Sequence, residues 1–112
     1  MRFFNDAIFK AVDISVSQNS APIDASYLIA LSVQAVTTGT AVGTLKLQYS
    51  NDAPSPSIPT HWSDITGATV AIAAAGTYSI LKIEVSYQWI RLVYTTTSDT
   101  GACTARIKSV GF

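Results

Sequence analysis

Hydrophobic and polar positions alternate along most of this chain. Leu45, Leu47 and Tyr49 take turns with Thr44, Lys46, Gln48 and Ser50. The same two-residue period sets Val12, Ile14 and Val16 against Asp13, Ser15 and Ser17, and Leu81, Ile83 and Val85 against Lys82, Glu84 and Ser86. It sets Ile90, Leu92 and Tyr94 against Trp89, Arg91, Val93 and Thr95, and Cys103, Ala105 and Ile107 against Thr104, Arg106 and Lys108. Tyr27, Ile29, Leu31, Val33 and Ala35 share one parity, with Leu28 and Val36 as apolar exceptions on the other. A period of two sends successive side chains to opposite faces of an extended strand. The runs are rich in Val, Ile, Tyr and Thr, which suit a half-buried pleated surface. They predict Leu31, Val33, Leu45, Leu47, Ile83, Ile90 and Leu92 as buried, with Tyr27, Tyr49 and Tyr94 in phase with the core and Trp89 facing outward.

Turn chemistry separates the runs. Thr38–Gly43 is a short connection with two glycines, and Asn51-Asp52 opens a longer surface loop through Pro54, Pro56 and Pro59. Thr66-Gly67 and Ala75-Gly76 are further breaks, and Ser98-Asp99-Thr100-Gly101 reads as a tight hairpin. Ala68 to Ala75 is alanine-rich, but its β-branched residues and flanking glycines favour a strand over a helix of so few residues. About seven or eight short strands spaced by turns imply an all-β fold, an antiparallel, jelly-roll-like β-sandwich. Residues 1–112 are expected to form one domain.

Composition adds constraints. Only 12% of residues are charged, with seven Lys+Arg against seven Asp+Glu, whereas about 25% is ordinary for a soluble domain. A net charge of zero argues against nucleic-acid binding, which needs a surplus of cations to track phosphates. A chain this neutral, 48% hydrophobic and with a mean hydropathy of +0.31, is expected to cover part of its surface against other subunits. Phe3, Phe4, Ile8 and Phe9 cluster at the start, so residues 1–10 are read as a docking arm with those four at an interface. The longest charge-poor runs are broken by polar residues, so no membrane insertion is expected. Asp6 and Lys10 interrupt any signal-peptide core, and the chain is expected to be made in a cytoplasm.

Candidate chemistry is sparse. Cys103 is the one cysteine and His61 the one histidine. A catalytic thiol needs a basic neighbour to lower its pKa; Cys103 sits among small residues and reads as a buried strand position. The acids are scattered singly, and no zinc, calcium, phosphate-loop or nucleophile-elbow motif occurs. No catalytic residue, metal site or cofactor is therefore expected. If a ligand is bound, Asn51, Asp52, His61 and Trp62 form the candidate set: polar groups and a stacking face on one loop end, the parts a sugar site needs. The competing reading tucks Trp62 under the Pro-rich loop and makes Asn51-Asp52 a turn.

From Tyr27 onward the chain resembles a family of small virion proteins of tailed and related bacteriophages. The residues that carry the resemblance are Thr38-Gly39-Thr40-Ala41-Val42-Gly43-Thr44-Leu45, Leu47-Gln48-Tyr49-Ser50-Asn51-Asp52, Trp62-Ser63-Asp64-Ile65 and Tyr87 to Thr95. The resemblance implies a non-enzymatic structural component of the virion: a capsid decoration, minor capsid or tail and spike accessory protein. Its implied partners are other virion proteins and further copies of itself, as a trimer or higher homo-oligomer. The same phrases are similar to parts of discoidin-type (F5/8 C) domains, jelly rolls that bind sugars or lipid headgroups. That likeness implies an alternative role as a carbohydrate-binding module with glycan partners. The chain is shorter than a usual discoidin domain and lacks the pair of cysteines that closes many of them.

Overall fold

The computed structural model describes residues 2–53, 58–97 and 100–111, with the side chains of Arg2, Phe4, Leu81 and Lys82 outside that description. Among the described residues there are nine strands and no helix: β1 (Arg2–Asp13), β2 (Gln18–Asn19), β3 (Ile23–Asp24), β4 (Leu28–Thr37), β5 (Gly43–Ser50), β6 (Ser63–Ile72), β7 (Gly76–Glu84), β8 (Trp89–Thr96) and β9 (Ala102–Gly111). One sheet has the order β1-β9-β4-β7; the other runs β2-β8-β5-β6, with β3 also on β8. Every pairing is antiparallel. The chain passes repeatedly from one sheet to the other, and the result is a jelly-roll sandwich.

The short strands β2 and β3 are two pieces of one edge position, so the nine strands fill eight places. Pro22 lies between them and has no N–H to give a ladder. Ser20 bridges the gap: its N–H donates to the Leu92 carbonyl at 2.8 Å, and its Oγ accepts the Leu92 N–H at 2.8 Å. A buried hydroxyl thus replaces a missing backbone acceptor.

The core lies between the sheets. Leu31, Val33, Leu45, Leu47, Ile90, Leu92 and Tyr94 are all buried, as the alternation predicts. Ile83 is half-buried against the core, as is Tyr49. Tyr27 and Ile29 depart from the expectation and are exposed, while Leu28 and Ala30 are buried. The cause is an irregularity in the β4–β9 register between Leu28 and Ala30, because one extra residue in a strand reverses every side chain before it. Val16 is also exposed, since β1 ends at Asp13 and residues 14–17 form a connection.

Ala68 to Ala75 divides into the end of β6 and a turn, and Gly76 starts β7. The expected hairpin at Ser98–Gly101 is instead a crossover, because β8 and β9 belong to different sheets; Ser98 and Asp99 lie outside the described residues. At this end Thr38–Thr40 and Thr100–Ala102 lie against each other. Thr38 N–H donates to the Ala102 carbonyl at 2.9 Å, Thr40 N–H to the Thr100 carbonyl at 2.8 Å, and the Thr40 and Thr100 hydroxyls meet at 2.8 Å. Gly39 (φ 76°) and Gly101 (φ 133°) make this approach possible. A Cβ on Gly101 would strike the Thr38 carbonyl, and one on Gly39 the Thr100 carbonyl.

Candidate functional site

The opposite end gathers the connections 25–27, 51–62 and 85–88. Asp52 organises the longest of them. Its Oδ2 accepts the N–H groups of Thr60 (2.8 Å) and His61 (3.1 Å), and the His61 Nδ1 lies 3.1 Å from Oδ1. The Thr60 hydroxyl is 3.2 Å from the same ring nitrogen. The Thr60 N–H, then the His61 N–H, hold the Asp52 carboxyl well below its ordinary range, at about 2. The Asp52 N–H donates to Ser50 Oγ at 3.2 Å. These bonds clamp the two ends of the loop together. Pro54 and Pro56 lie outside the described residues.

Trp62 is half-buried, and its indole N–H donates to the Pro59 carbonyl at 3.3 Å. The Arg91 guanidinium carbon lies 4.4 Å from its ring centroid. Arg91 also donates through Nε (2.9 Å) and Nη2 (2.7 Å) to Gln48 Oε1, and Gln48 Nε2 donates to Asp64 Oδ1 at 2.8 Å. Lys46 closes the row with Nζ 3.1 Å from the same carboxylate oxygen. The Gln48 bond first, then Lys46, lowers the Asp64 pKa; burial lowers that of Arg91. Trp62 therefore belongs to a network on the outer face of β5, β6 and β8, where alternation places Lys46, Gln48 and Arg91.

Asn51 turns elsewhere. Its Oδ1 accepts the Gln88 N–H at 3.1 Å, joining the β5 end to the turn before β8. The Ala25 N–H donates to the Gln88 carbonyl at 2.9 Å and Leu28 N–H to the Ala25 carbonyl at 3.1 Å, which adds the third segment. Asp24 Oδ1 accepts the Ser26 N–H at 3.0 Å and Gln88 Nε2 at 3.4 Å. The tied segments border an open cleft of about 470 Å³ whose polar wall is Ser26, Asn51, Ser86, Tyr87 and Gln88. Tyr87 is braced by Tyr49, with ring centroids 4.3 Å apart and 21° between planes. Trp89, expected to face outward, is half-buried and donates its indole N–H to the Asp52 carbonyl at 3.2 Å.

The four residues read together from sequence are thus divided: Asp52 and His61 clamp a loop, Trp62 joins a sheet-face network, and Asn51 lines a cleft. Reading the sequence did not select Ser26, Ser86, Tyr87 or Gln88 as cleft residues. Tyr87-Gln88 stood before an alternating run, and only the register of β8 places them in a turn. The aromatic cluster at the start divides as well. Phe9 is in the chain's own core, Ile8 packs against it, and Phe3 is 72% exposed; the Phe4 side chain lies outside the described residues. Residues 1–10, read as an arm, belong from Arg2 onward to β1, an edge strand laid along β9. Cys103 is buried, and desolvation pushes its thiol up to about 11. Among the described residues no cluster of His, Cys, Asp or Glu could hold a metal ion.

Strand order and a shared two-layer core define this chain as a jelly-roll β-sandwich. No protein-family model matches it, and no curated protein matches its sequence. Solved structures share the fold. PBSX exported protein XepA has a TM-score of 0.75 at 13% identity over 97% of this chain, which spans 37% of XepA. SPBc2 prophage-derived protein YomS has a TM-score of 0.66 at 8% identity, covering 99% of this chain and 96% of YomS. Chitosan-binding module 1 of a chitosanase/glucanase from Paenibacillus sp. IK-5 has a TM-score of 0.55 at 17% identity, covering 93% of this chain and 74% of that one.

Proposed function

We propose that this protein is a non-enzymatic structural component of a bacteriophage particle, assembling with copies of itself and with other virion proteins. The observation that carries the reading is the end-to-end likeness of fold to a prophage-derived protein of nearly the same extent. The outer strand positions agree with it. Ser and Thr recur there, short neutral side chains with little entropy to lose when covered. Phe3 on the edge strand β1 is the exposed apolar residue best placed for a contact between subunits. The one thiol is buried and raised in pKa, and the one histidine is bonded within its loop. In this reading the protein is made in the host cytoplasm, ends in the virion, and binds neither nucleic acid nor membrane.

The test is to purify phage particles on a density gradient and look for this chain by mass spectrometry and immunogold labelling. Light scattering of the isolated protein measures its assembly. Incorporation in constant ratio to the other virion proteins, with a trimer or larger species in solution, is the expected result. A monomer absent from purified particles overturns the proposal.

A second reading, a sugar-binding module, is favoured by a separate observation: the cleft walled by hydroxyl and amide side chains. The fold it shares with a chitosan-binding module agrees. A virion protein can carry such a surface, so the two readings are compatible. A glycan array probed with the full chain tests it, and silence across the array overturns it.

A further inference from the structure

We infer that the cleft between residues 25–28, Asn51 and residues 85–88 is a binding site for a neutral saccharide unit; this rests on the sugar-binding reading. Its volume, about 470 Å³, falls within the range of about 300–1,000 Å³ typical of small-ligand sites. The choice of ligand class follows from the wall. Ser26, Ser86 and Tyr87 offer hydroxyls, which both donate and accept, as sugar hydroxyls do. Asn51 has its Oδ1 committed to the Gln88 N–H, which leaves its amide NH₂ as the donor. Gln88 has its Nε2 on Asp24, which leaves its Oε1 as an acceptor. Leu28, Val85 and the Tyr87 ring add apolar surface for the C–H face of a sugar ring.

Among the described residues no charged side chain lines the cleft. A carboxylate or phosphate entering it would lose water and find no counter-charge, and an ammonium would meet only the Asp24 carboxylate already engaged by Ser26 and Gln88, which selects against charged ligands. Asp24 is a positioning residue, accepting the Ser26 N–H and the Gln88 amide NH₂. A backbone bond from Ala25 to Gln88 and the Asn51 side chain on the Gln88 N–H fix the wall before a ligand arrives, so little ordering remains to oppose binding.

The experiment is an NMR titration of the full chain with neutral sugars (glucose, galactose, N-acetylglucosamine and their disaccharides) and with charged ones (glucuronate, glucosamine). Neutral sugars are expected to shift the amide signals of Ser26, Asn51, Ser86, Tyr87 and Gln88, with charged ones at least tenfold weaker. Asn51→Asp keeps the acceptor that holds the Gln88 N–H and replaces the donor; Ser86→Leu fills the cleft from an exposed position. Each is expected to weaken binding tenfold or more without lowering the melting temperature by more than a few degrees. Neutral-sugar binding that survives both variants, or whose shifts centre on Trp62 and Arg91, overturns the cleft assignment and leaves the sugar-binding reading standing. Preference for a charged sugar at the cleft overturns the ligand class. The absence of any sugar binding, on the array and in the titration, removes both.

Discussion

The two ends of the sandwich hold their loops together by different means. At the end formed by Thr38–Thr40 and Thr100–Ala102, backbone meets backbone, with glycine where a side chain would intervene. Contact there is close at both Gly39 and Gly101. At the other end one backbone bond joins Ala25 to Gln88, and side chains make the other ties: Asp52 clamps its own loop, Asn51 reaches Gln88, and Asp24 reaches Ser26 and Gln88. Side-chain struts hold backbones apart, and the space between becomes a cleft with polar walls. Ligand chemistry on this fold is therefore sought at the strutted end, while the glycine end supplies rigidity.

The largest effect should come from the glycine end. Gly101→Ala puts a Cβ into the Thr38 carbonyl at a φ of 133°. It is expected to cost about 3 kcal/mol or more, a fall in melting temperature of roughly 10 °C or more. A fall of only a degree or two would show that the close approach is dispensable, and the contrast between the ends would lose its basis.

Trp62→Ala at the strutted end comes next. It removes a half-buried ring stacked by Arg91 and bonded to the Pro59 carbonyl. A loss of about 2 kcal/mol is expected from the lost apolar burial and cation–π contact, with sugar binding in the cleft unchanged. Loss of sugar binding at unchanged stability would move the functional surface from the cleft to the outer sheet face.

Thr40→Val probes the smaller struts of the glycine end. It deletes the hydroxyl that bonds Thr100 Oγ1 and accepts the Thr100 N–H at 3.2 Å. About 1 kcal/mol is expected from chemical denaturation. A cost as large as that of Gly101→Ala would mean side chains, and not backbone approach, hold that end too.

The smallest effect is local and pH-dependent. Asp52 is depressed from 3.8 to about 2 in the folded chain. Its contribution is therefore complete above its unfolded value and is lost as the pH falls through about 2. The amide protons of Thr60 and His61 should titrate together with a midpoint near 2, followed by NMR, and Asp52→Asn should abolish the transition. A midpoint at the ordinary carboxylate value would mean the clamp is open in solution.

The fold was legible in the sequence because a sandwich needs one apolar face per strand, and a period of two records that face directly. Leu45, Leu47, Ile90 and Leu92 needed no further information. The register irregularity that exposes Tyr27 and Ile29 left no such trace, since the residues around it are apolar on both parities. Alternation also could not say which strands pair, so an apparent hairpin at Ser98–Gly101 was a crossing between sheets. Asp52 was legible as a residue that opens a connection after β5.

The candidate site was legible only in part. Asn51 and Asp52 are neighbours in sequence, yet one turns toward Gln88 and the other toward Thr60 and His61. The cleft joins residues 25–28 to residues 51 and 85–88, segments far apart in the chain. The sequence by itself determined the strands, most of the core, and the scarcity of charge. Only the tertiary structure decided which loops share an end and which polar atoms are left unspent. The physical reason is that hydrophobic burial is written locally, in the period of a strand, whereas a site is made where distant backbones meet.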